Sequence, residues 1–130
     1  MDASESKGYS VKYDGVLGVV VALVYGKALH SDHIAAREEA KCICRDKQCL
    51  KLLVDLRRLD TENSTSLDCF MFGRTMANAM SGLRVAFVIP SDNKAINDLR
   101  FTLKVGEHPD ILCAEFTSND VAIDWLQKGK

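Results

Sequence analysis

The stretch that decides the fold is residues 52–67, LLVDLRRLDTENSTSL. Its first residues are mostly apolar and predict a buried strand, which runs into a polar turn rich in hydroxyl groups. Thr65 and Asp68 have the spacing of a capping box and predict that a helix starts directly behind the turn. Small α/β domains place ligand and partner contacts where a strand, a turn and a helix start meet. We therefore expect a functional site near this turn.

Length and composition are those of one ordinary soluble domain. The chain has 130 residues, of which 47% are hydrophobic and 27% charged, and a domain of this size buries roughly two-thirds of its unfolded surface. The net charge of −1 argues against the basic surface that nucleic-acid binding requires. Five cysteines, an odd number, and no signal peptide favour reduced thiols. We expect one cytoplasmic domain over residues 1–130, with residues 1–7 disordered and no nucleic-acid partner.

The longest apolar run, residues 16–25, predicts a strand rather than a transmembrane segment. It is about ten residues long, whereas a membrane-spanning helix needs about 20. It is rich in valine and bounded by Gly15 and Gly26, which is typical of a strand buried on both faces. Apolar and polar residues alternate over residues 9–13, and Asp14 followed by glycine is typical of a tight hairpin turn. The chain therefore opens with a half-exposed strand folded back on a central one.

The rest of the chain alternates between helical and extended patterns. After Gly26 we predict a helix capped by Ser31 or Asp32, and its buried face consists of Ala36, Ala40, Ile43 and Cys44. The later strands are predicted over residues 50–56, 84–89 and 111–116. The later helices are predicted to start near Thr65, near Ser91 or Asp92, and near Ser118 or Asn119.

The predicted order of elements is β-β-α-β-α-β-α-β-α, with short connections. Alternating strands and helices imply right-handed crossovers and a mostly parallel sheet covered by helices. The first hairpin adds an antiparallel strand at the edge, so we expect a single α/β domain with about five strands and four helices. The last helix should pack against the sheet through Val121, Ala122 and a largely buried Trp125.

Five short motifs follow one another in a characteristic order. They are GKAL at residues 26–29, VDL at 54–56, RVAFV at 84–88, EF at 115–116 and AIDWL at 122–126. In this order and spacing the chain resembles the STAS fold of anti-sigma-factor antagonists, and most closely its SpoIIAA-like (STAS-like) branch, which is also similar in fold to Sec14-type domains. The resemblance covers nearly the whole chain. It implies a small, non-enzymatic, often oligomeric protein without cofactors, for which regulation and apolar-ligand binding are both suggested.

The resemblance also places a phosphorylation motif on the turn at residues 63–67. Antagonist STAS proteins have Asp-Ser-Ser-Gly-Leu at this helix start, and the aligned residues here are Asn63, Ser64, Thr65, Ser66 and Leu67. A helix N-terminus would stabilise an added phosphate, so a phosphoacceptor or partner-contact loop is one hypothesis. The acid and the glycine of the motif are both replaced. The other hypothesis is that Ser64 or Thr65 only caps the helix.

No residue set in the sequence predicts a catalytic or metal site. Cys42 and Cys44 lie two positions apart in a predicted helix, so they point about 200° apart and cannot bind one ion together. The histidines are paired with no nucleophile. Residues 15–18 lie in a predicted strand, so they are not a phosphate loop. We interpret Asp55 and Asp60 as solvated charges at a strand end rather than as a catalytic pair.

Two predicted helices carry apolar side chains on a second side, away from the face that covers the sheet. These side chains, with a flanking arginine, are Leu67, Phe70, Met71, Arg74 and Phe101. A helix that is apolar on two sides is deeply buried or makes an extra contact. Deep burial of two helices is hard to arrange in a chain this small. We therefore predict an interface or an apolar-ligand surface here. The alternative is a helix phase shifted by one residue, which would turn Phe101 inward.

Two classes of function follow from these patterns. The first is a non-enzymatic STAS-like regulatory domain that binds a regulatory protein partner through the 63–66 turn and the helix behind it. The second is the binding or carriage of an apolar small molecule or lipid, including at a membrane surface. Methionines in the predicted 65–82 helix adapt to irregular apolar ligands and favour the second class. In either case the second apolar sides predict a homodimer or another homo-oligomer.

Overall fold

The structure, a computed structural model, describes residues 8–60, 71–75, 80–91, 93–107, 109 and 111–128. Its strands are β1 (Tyr9–Asp14), β2 (Val19–Val24), β3 (Lys51–Asp55), β4 (Arg84–Val88) and β5 (Leu112–Phe116). Its helices are α1 (His30–Lys47), α2 (Asn93–Val105) and α3 (Asn119–Lys128), with further helical residues at 71–74 and 80 between β3 and β4. The predicted order of strands and helices is confirmed. In these ranges no helix is both long enough and apolar enough to cross a bilayer.

The strands lie in the sheet in their order along the chain, β1-β2-β3-β4-β5. β1 pairs with β2 in antiparallel fashion, and every other pair is parallel. The prediction of a mostly parallel sheet with an antiparallel hairpin at its edge is therefore confirmed. Ala22 pairs with Val54, and Val54 pairs with Phe87. Paired residues share a face of the sheet, so these three side chains lie in a row.

Each face of the sheet has its own apolar core, because successive strand residues point to opposite faces. On one face the strands pack against α1, α2 and Met80, and the strand residues there are Val20, Ala22, Leu52, Val54, Val85 and Phe87. On the other face they pack against α3, and the buried residues there are Val19, Leu53, Ala86, Val88, Ala122 and Leu126. Two layers of helix thus enclose the sheet.

The β1–β2 turn corrects one prediction. Residues 15–18 form the turn instead of lying in a strand, and Val16 is 96% exposed. The Asp14 carboxylate accepts hydrogen bonds from the backbone N–H groups of Val16 and Leu17 at 3.0 and 3.1 Å. Gly18 has a φ of +69°, which a glycine adopts without strain. An aspartate-stabilised turn therefore outweighs the apolar character of this segment.

The N-cap of helix α1 lies two or three residues before the predicted one. Leu29 occupies the N-cap position, and the Asp32 carboxylate, one turn into the helix, accepts the Leu29 N–H at 2.8 Å. The prediction that Ser31 or Asp32 is the N-cap was wrong, although Asp32 does satisfy a backbone donor at the helix start. The predicted buried face of α1 is confirmed, with Ala36 and Ala40 buried.

Helix α3 packs against the sheet as predicted except at Val121. Ala122 and Leu126 are fully buried, and Trp125 is partly buried and packs against the same apolar core. Val121 is 54% exposed, so its predicted contact with the sheet was wrong. The Arg84 guanidinium lies 3.8 Å from the Trp125 ring centre and donates to the Trp125 carbonyl at 2.9 and 3.1 Å. This charged group covers one face of the Trp125 ring.

Candidate functional site

An apolar cavity of about 120 Å³ lies between the sheet and helices α1 and α2. Its larger apolar lining residues are Leu52, Val54, Phe72, Met80, Phe87 and Leu99. Its smaller ones are the alanines at positions 22, 36, 40 and 95. Alanine side chains on the strand and on both helices leave space that longer side chains would fill, and this explains why a cavity persists in the core.

The cavity lies toward the carboxyl ends of the parallel strands. The lining residues there are Val24 at the end of β2, Leu56 and Leu59 behind β3, and Ile89 and Pro90 behind β4. In open α/β sheets this edge is where ligands bind. Four residues of the 52–67 stretch, Leu52, Val54, Leu56 and Leu59, line the cavity, so β3 and the residues directly behind it form part of its wall.

Arg37 is the charged residue buried at the cavity. Only 7% of it is exposed, and its Nη1 donates to the Phe72 carbonyl at 3.1 Å while its Nη2 donates to the Thr75 hydroxyl at 2.8 Å. Its guanidinium also lies 4.6 Å from the Phe72 ring centre. These contacts hold the 71–75 segment against α1 and place Phe72 in the cavity wall.

The Arg37 charge is poorly compensated. Its Nε is buried and has no hydrogen-bond partner. Desolvation lowers the pKa of Arg37, and the neighbouring Glu38 only partly offsets this by raising it. Glu38 itself is half exposed and pairs with Lys41 at 3.3 Å. The cavity wall therefore holds a cation without a buried counter-ion among the described residues.

Four other polar residues line the cavity. His30 and His33 come from the first turn of α1, and Asp98 and Thr102 come from α2. The Asp98 carboxylate pairs with Lys94 at 2.9 Å, and the Thr102 hydroxyl donates to the Asp98 carbonyl at 2.9 Å. The charge of Asp98 is thus already balanced within its own helix.

The predicted second apolar sides fall outside this cavity. Met71 is 47% and Phe101 is 42% exposed, Arg74 is also exposed, and none of the three lines the cavity. The remaining predicted site residues, Leu67, Phe70 and the 63–66 turn, lie outside the described residues. The structure therefore places an exposed apolar pair apart from the internal cavity.

The sequence reasoning missed Arg37 and the two histidines as cavity residues. Arg37 precedes Ala40 by three positions and Cys44 by seven, so it falls on the buried stripe of α1. A charged residue on an otherwise apolar stripe was the signal that could have identified it. The histidines gave no comparable signal, because they lie at a helix start where polar residues are common.

Cys42, Cys44 and Asp55, which the sequence offers as reactive or metal-binding groups, lie in different environments. Cys42 is exposed and Cys44 is buried, which confirms that they point apart. Among the described residues no group of three or more His, Cys, Asp or Glu side chains could hold a metal ion. Burial raises the pKa of Asp55, but hydrogen bonds from Arg57 and its charge outweigh this and lower it overall. Asp55 and Arg57 form an ion pair at 2.8 Å.

No family model, curated protein or solved structure matches this chain. The residues that line the cavity form an apolar pocket of limited volume with a buried cation in its wall, an arrangement suited to binding a small molecule.

Proposed function

We propose that this chain binds a small apolar molecule in the cavity between the sheet, α1 and α2, and that it does so without catalysing a reaction. The observation that carries the proposal is the cavity itself, with its volume of about 120 Å³ and its alanine-rich lining. An engineered apolar cavity of about 150 Å³ in another protein binds benzene. The apolar part of the ligand is therefore about the size of one six-carbon ring or a short branched chain.

The expected affinity follows from the amount of apolar surface that such a ligand buries. Burial of six carbon atoms contributes roughly 5 kcal/mol at about 0.8 kcal/mol per carbon. That energy corresponds to a dissociation constant on the order of 0.2 mM before the costs of association are subtracted. A ring alone should thus bind weakly, and a physiological ligand needs a polar group as well.

Benzyl alcohol is a suitable first probe, because it combines a six-carbon ring with a neutral polar group. We expect saturable methyl NMR shifts at Val24, Leu52 and Leu99, which line the cavity. Ala36→Leu should fill the cavity and abolish these shifts, because its added carbons occupy the ligand's space. Ala35→Leu is the matched control, since Ala35 is the neighbouring residue of α1 and does not line the cavity. Unchanged binding by Ala36→Leu would contradict the proposal.

A regulatory role is the second proposal. It is supported by the exposed apolar residues Met71 and Phe101 and by the resemblance to the SpoIIAA-like branch. In this role the chain is a cytoplasmic STAS-like domain whose 63–66 turn contacts a protein partner. The test is the pair Thr65→Asp and Thr65→Ala, assayed for binding to that partner. Identical binding by both variants and the parent would contradict a phosphorylation switch at this turn.

A further inference from the structure

We infer that the ligand of the cavity is a small carboxylic acid whose carboxylate pairs with the guanidinium of Arg37. This inference rests on the proposed function, because it names the polar group of the same ligand. It goes beyond that function in predicting the charge, the position and the chemical class of the group that gives the cavity its selectivity.

The first argument is the unpartnered donor. Arg37 is 7% exposed, and its Nε has no hydrogen-bond partner although both of its other nitrogens do. Buried polar groups are almost always hydrogen-bonded, and an unpaired one is unfavourable. Arg37 lines the cavity, and a ligand oxygen that came within hydrogen-bond distance of Nε would satisfy this donor.

The second argument is the unbalanced charge. Among the described residues, the acid that lines the cavity, Asp98, pairs with Lys94 at 2.9 Å, and Glu38, next to Arg37 in the chain, pairs with Lys41 at 3.3 Å. Burial also lowers the pKa of Arg37, which is the effect expected where a buried cation is incompletely compensated. An anionic ligand would balance this charge, whereas a neutral or cationic one would leave it unpaired.

The third argument selects a carboxylate among anions. A planar guanidinium matches the geometry of a carboxylate, and such charge-assisted hydrogen bonds are stronger than neutral ones. One buried cation balances one negative charge, which a carboxylate carries and a phosphate group exceeds. The remaining lining is apolar and benzene-sized, so the class is a small aromatic or short-chain aliphatic carboxylic acid.

Benzoate and benzamide form a matched pair of probes, because they have the same ring and the same number of heavy atoms but differ in charge. We expect benzoate to bind the unmodified protein about tenfold or more tightly than benzamide, as a hydrogen bond to a charged group predicts. In ¹H–¹⁵N spectra the Arg37 Nε–Hε signal should shift when benzoate binds, and it should shift little with benzamide.

The variant Arg37→Gln tests the assignment to this residue, and Arg45→Gln is its matched control. Arg45 lies on the same helix and is exposed, so Arg45→Gln removes the same charge at a position away from the cavity. Arg37→Gln should bind benzoate and benzamide equally, whereas Arg45→Gln should keep the preference for benzoate. His30 and His33 also line the cavity, so a preference that persists in Arg37→Gln would assign the anion to them and overturn the inference.

The outcomes separate this inference from the proposed function. Equal affinity of the unmodified protein for benzoate and benzamide would overturn the carboxylate inference and leave the apolar cavity function intact. Failure of benzyl alcohol, benzamide and benzoate alike to bind would contradict both. If Arg37→Gln does not fold, the Arg37 Nε–Hε signal of the unmodified protein tests the inference instead. A signal that does not shift when benzoate is added would overturn the inference.

Discussion

Cys42 and Cys44 show how two residues on one helix acquire different chemistry. They stand two positions apart on α1, so Cys42 faces solvent and Cys44 faces the core. Burial raises the pKa of the Cys44 thiol to about 11, and the nearby Cys49 adds to this. The helical period alone predicts the difference in exposure, and the exposure in turn determines the reactivity of each thiol.

We expect iodoacetamide at pH 8 to modify Cys42 much faster than Cys44. A thiol with a pKa of about 11 has a thiolate fraction at pH 8 about two orders of magnitude below that of a free cysteine. Mass spectrometry of proteolytic peptides after timed labelling measures both rates in one sample. The two rates should become similar in 6 M guanidinium chloride, which is the control. Equal rates in the native protein would contradict the assigned orientation of α1.

Arg37 marks the limit of residue-level prediction from the sequence. Its place on the buried stripe of α1 could be read from the helical period, but its contacts could not. The Phe72 carbonyl and the Thr75 hydroxyl lie 35 and 38 positions further along the chain. Pairing over such distances depends on how the elements pack, so the cavity emerges only once the fold is known.

At the scale of elements, the sequence predicts the positions of the strands and helices well, but it does not predict the residues at which they begin and end. The five strands and their order were predicted because the valine-rich and leucine-rich runs are bounded by glycine, proline and turn residues. The errors lie at Val16 and Leu29, whose backbone N–H groups donate to the carboxylates of Asp14 and Asp32, and these local hydrogen bonds decide which residue begins an element. Such competition between side chain and backbone is not visible in an apolar pattern.

The close approach of the 71–74 segment to α2 depends on Gly73. A Cβ at this position would lie 2.5 Å from the Thr102 carbonyl oxygen and 3.0 Å from the Val105 Cβ. Both atoms belong to or stand next to the helix backbone and cannot move aside easily. The absence of a side chain at Gly73 therefore lets Phe72 reach the cavity wall.

We expect Gly73→Ala to destabilise the protein by about 1–2 kcal/mol, since overpacking outweighs the gain in helix propensity. Urea denaturation followed by the fluorescence of Trp125, the one tryptophan of the chain, measures the free energy of unfolding. Gly15→Ala is the matched control, because its Cβ would meet the Tyr13 ring at an ordinary 3.6 Å, and it should change stability by less than about 0.5 kcal/mol. Equal stability of the two variants would contradict the prediction, because it would show that α2 moves enough to make room for the added Cβ.

At the scale of the whole molecule, the exposed residues Met71 and Phe101 belong to elements on the side of the sheet that carries α1 and α2. The 71–74 segment and α2 are neighbours there, because Gly73 packs against Thr102. An exposed apolar pair on adjacent elements is a surface that a second copy of the chain can cover, and a symmetric dimer is the commonest such arrangement.

We predict that the protein is a dimer at tens of micromolar and that Met71→Lys combined with Phe101→Lys makes it monomeric. Two buried lysines at the interface would be unpaired and strongly unfavourable. Sedimentation equilibrium measures the mass of the parent and of the variant. Val121→Lys is the control, because Val121 is also exposed, at 54%, but lies on α3, on the opposite side of the sheet. A monomeric parent protein would refute the prediction.

The order of strands in the sheet also sets the order in which the molecule can be assembled. Each strand from β2 to β5 adds beside its predecessor, so the core facing α1 grows progressively as the chain leaves the ribosome. Among the described residues the opposite face is covered by α3, whose Ala122 and Leu126 pack against Val19, Leu53 and Ala86. A chain that lacked α3 would therefore leave one apolar face of the sheet bare, and transiently exposed surfaces of this kind are what chaperones bind.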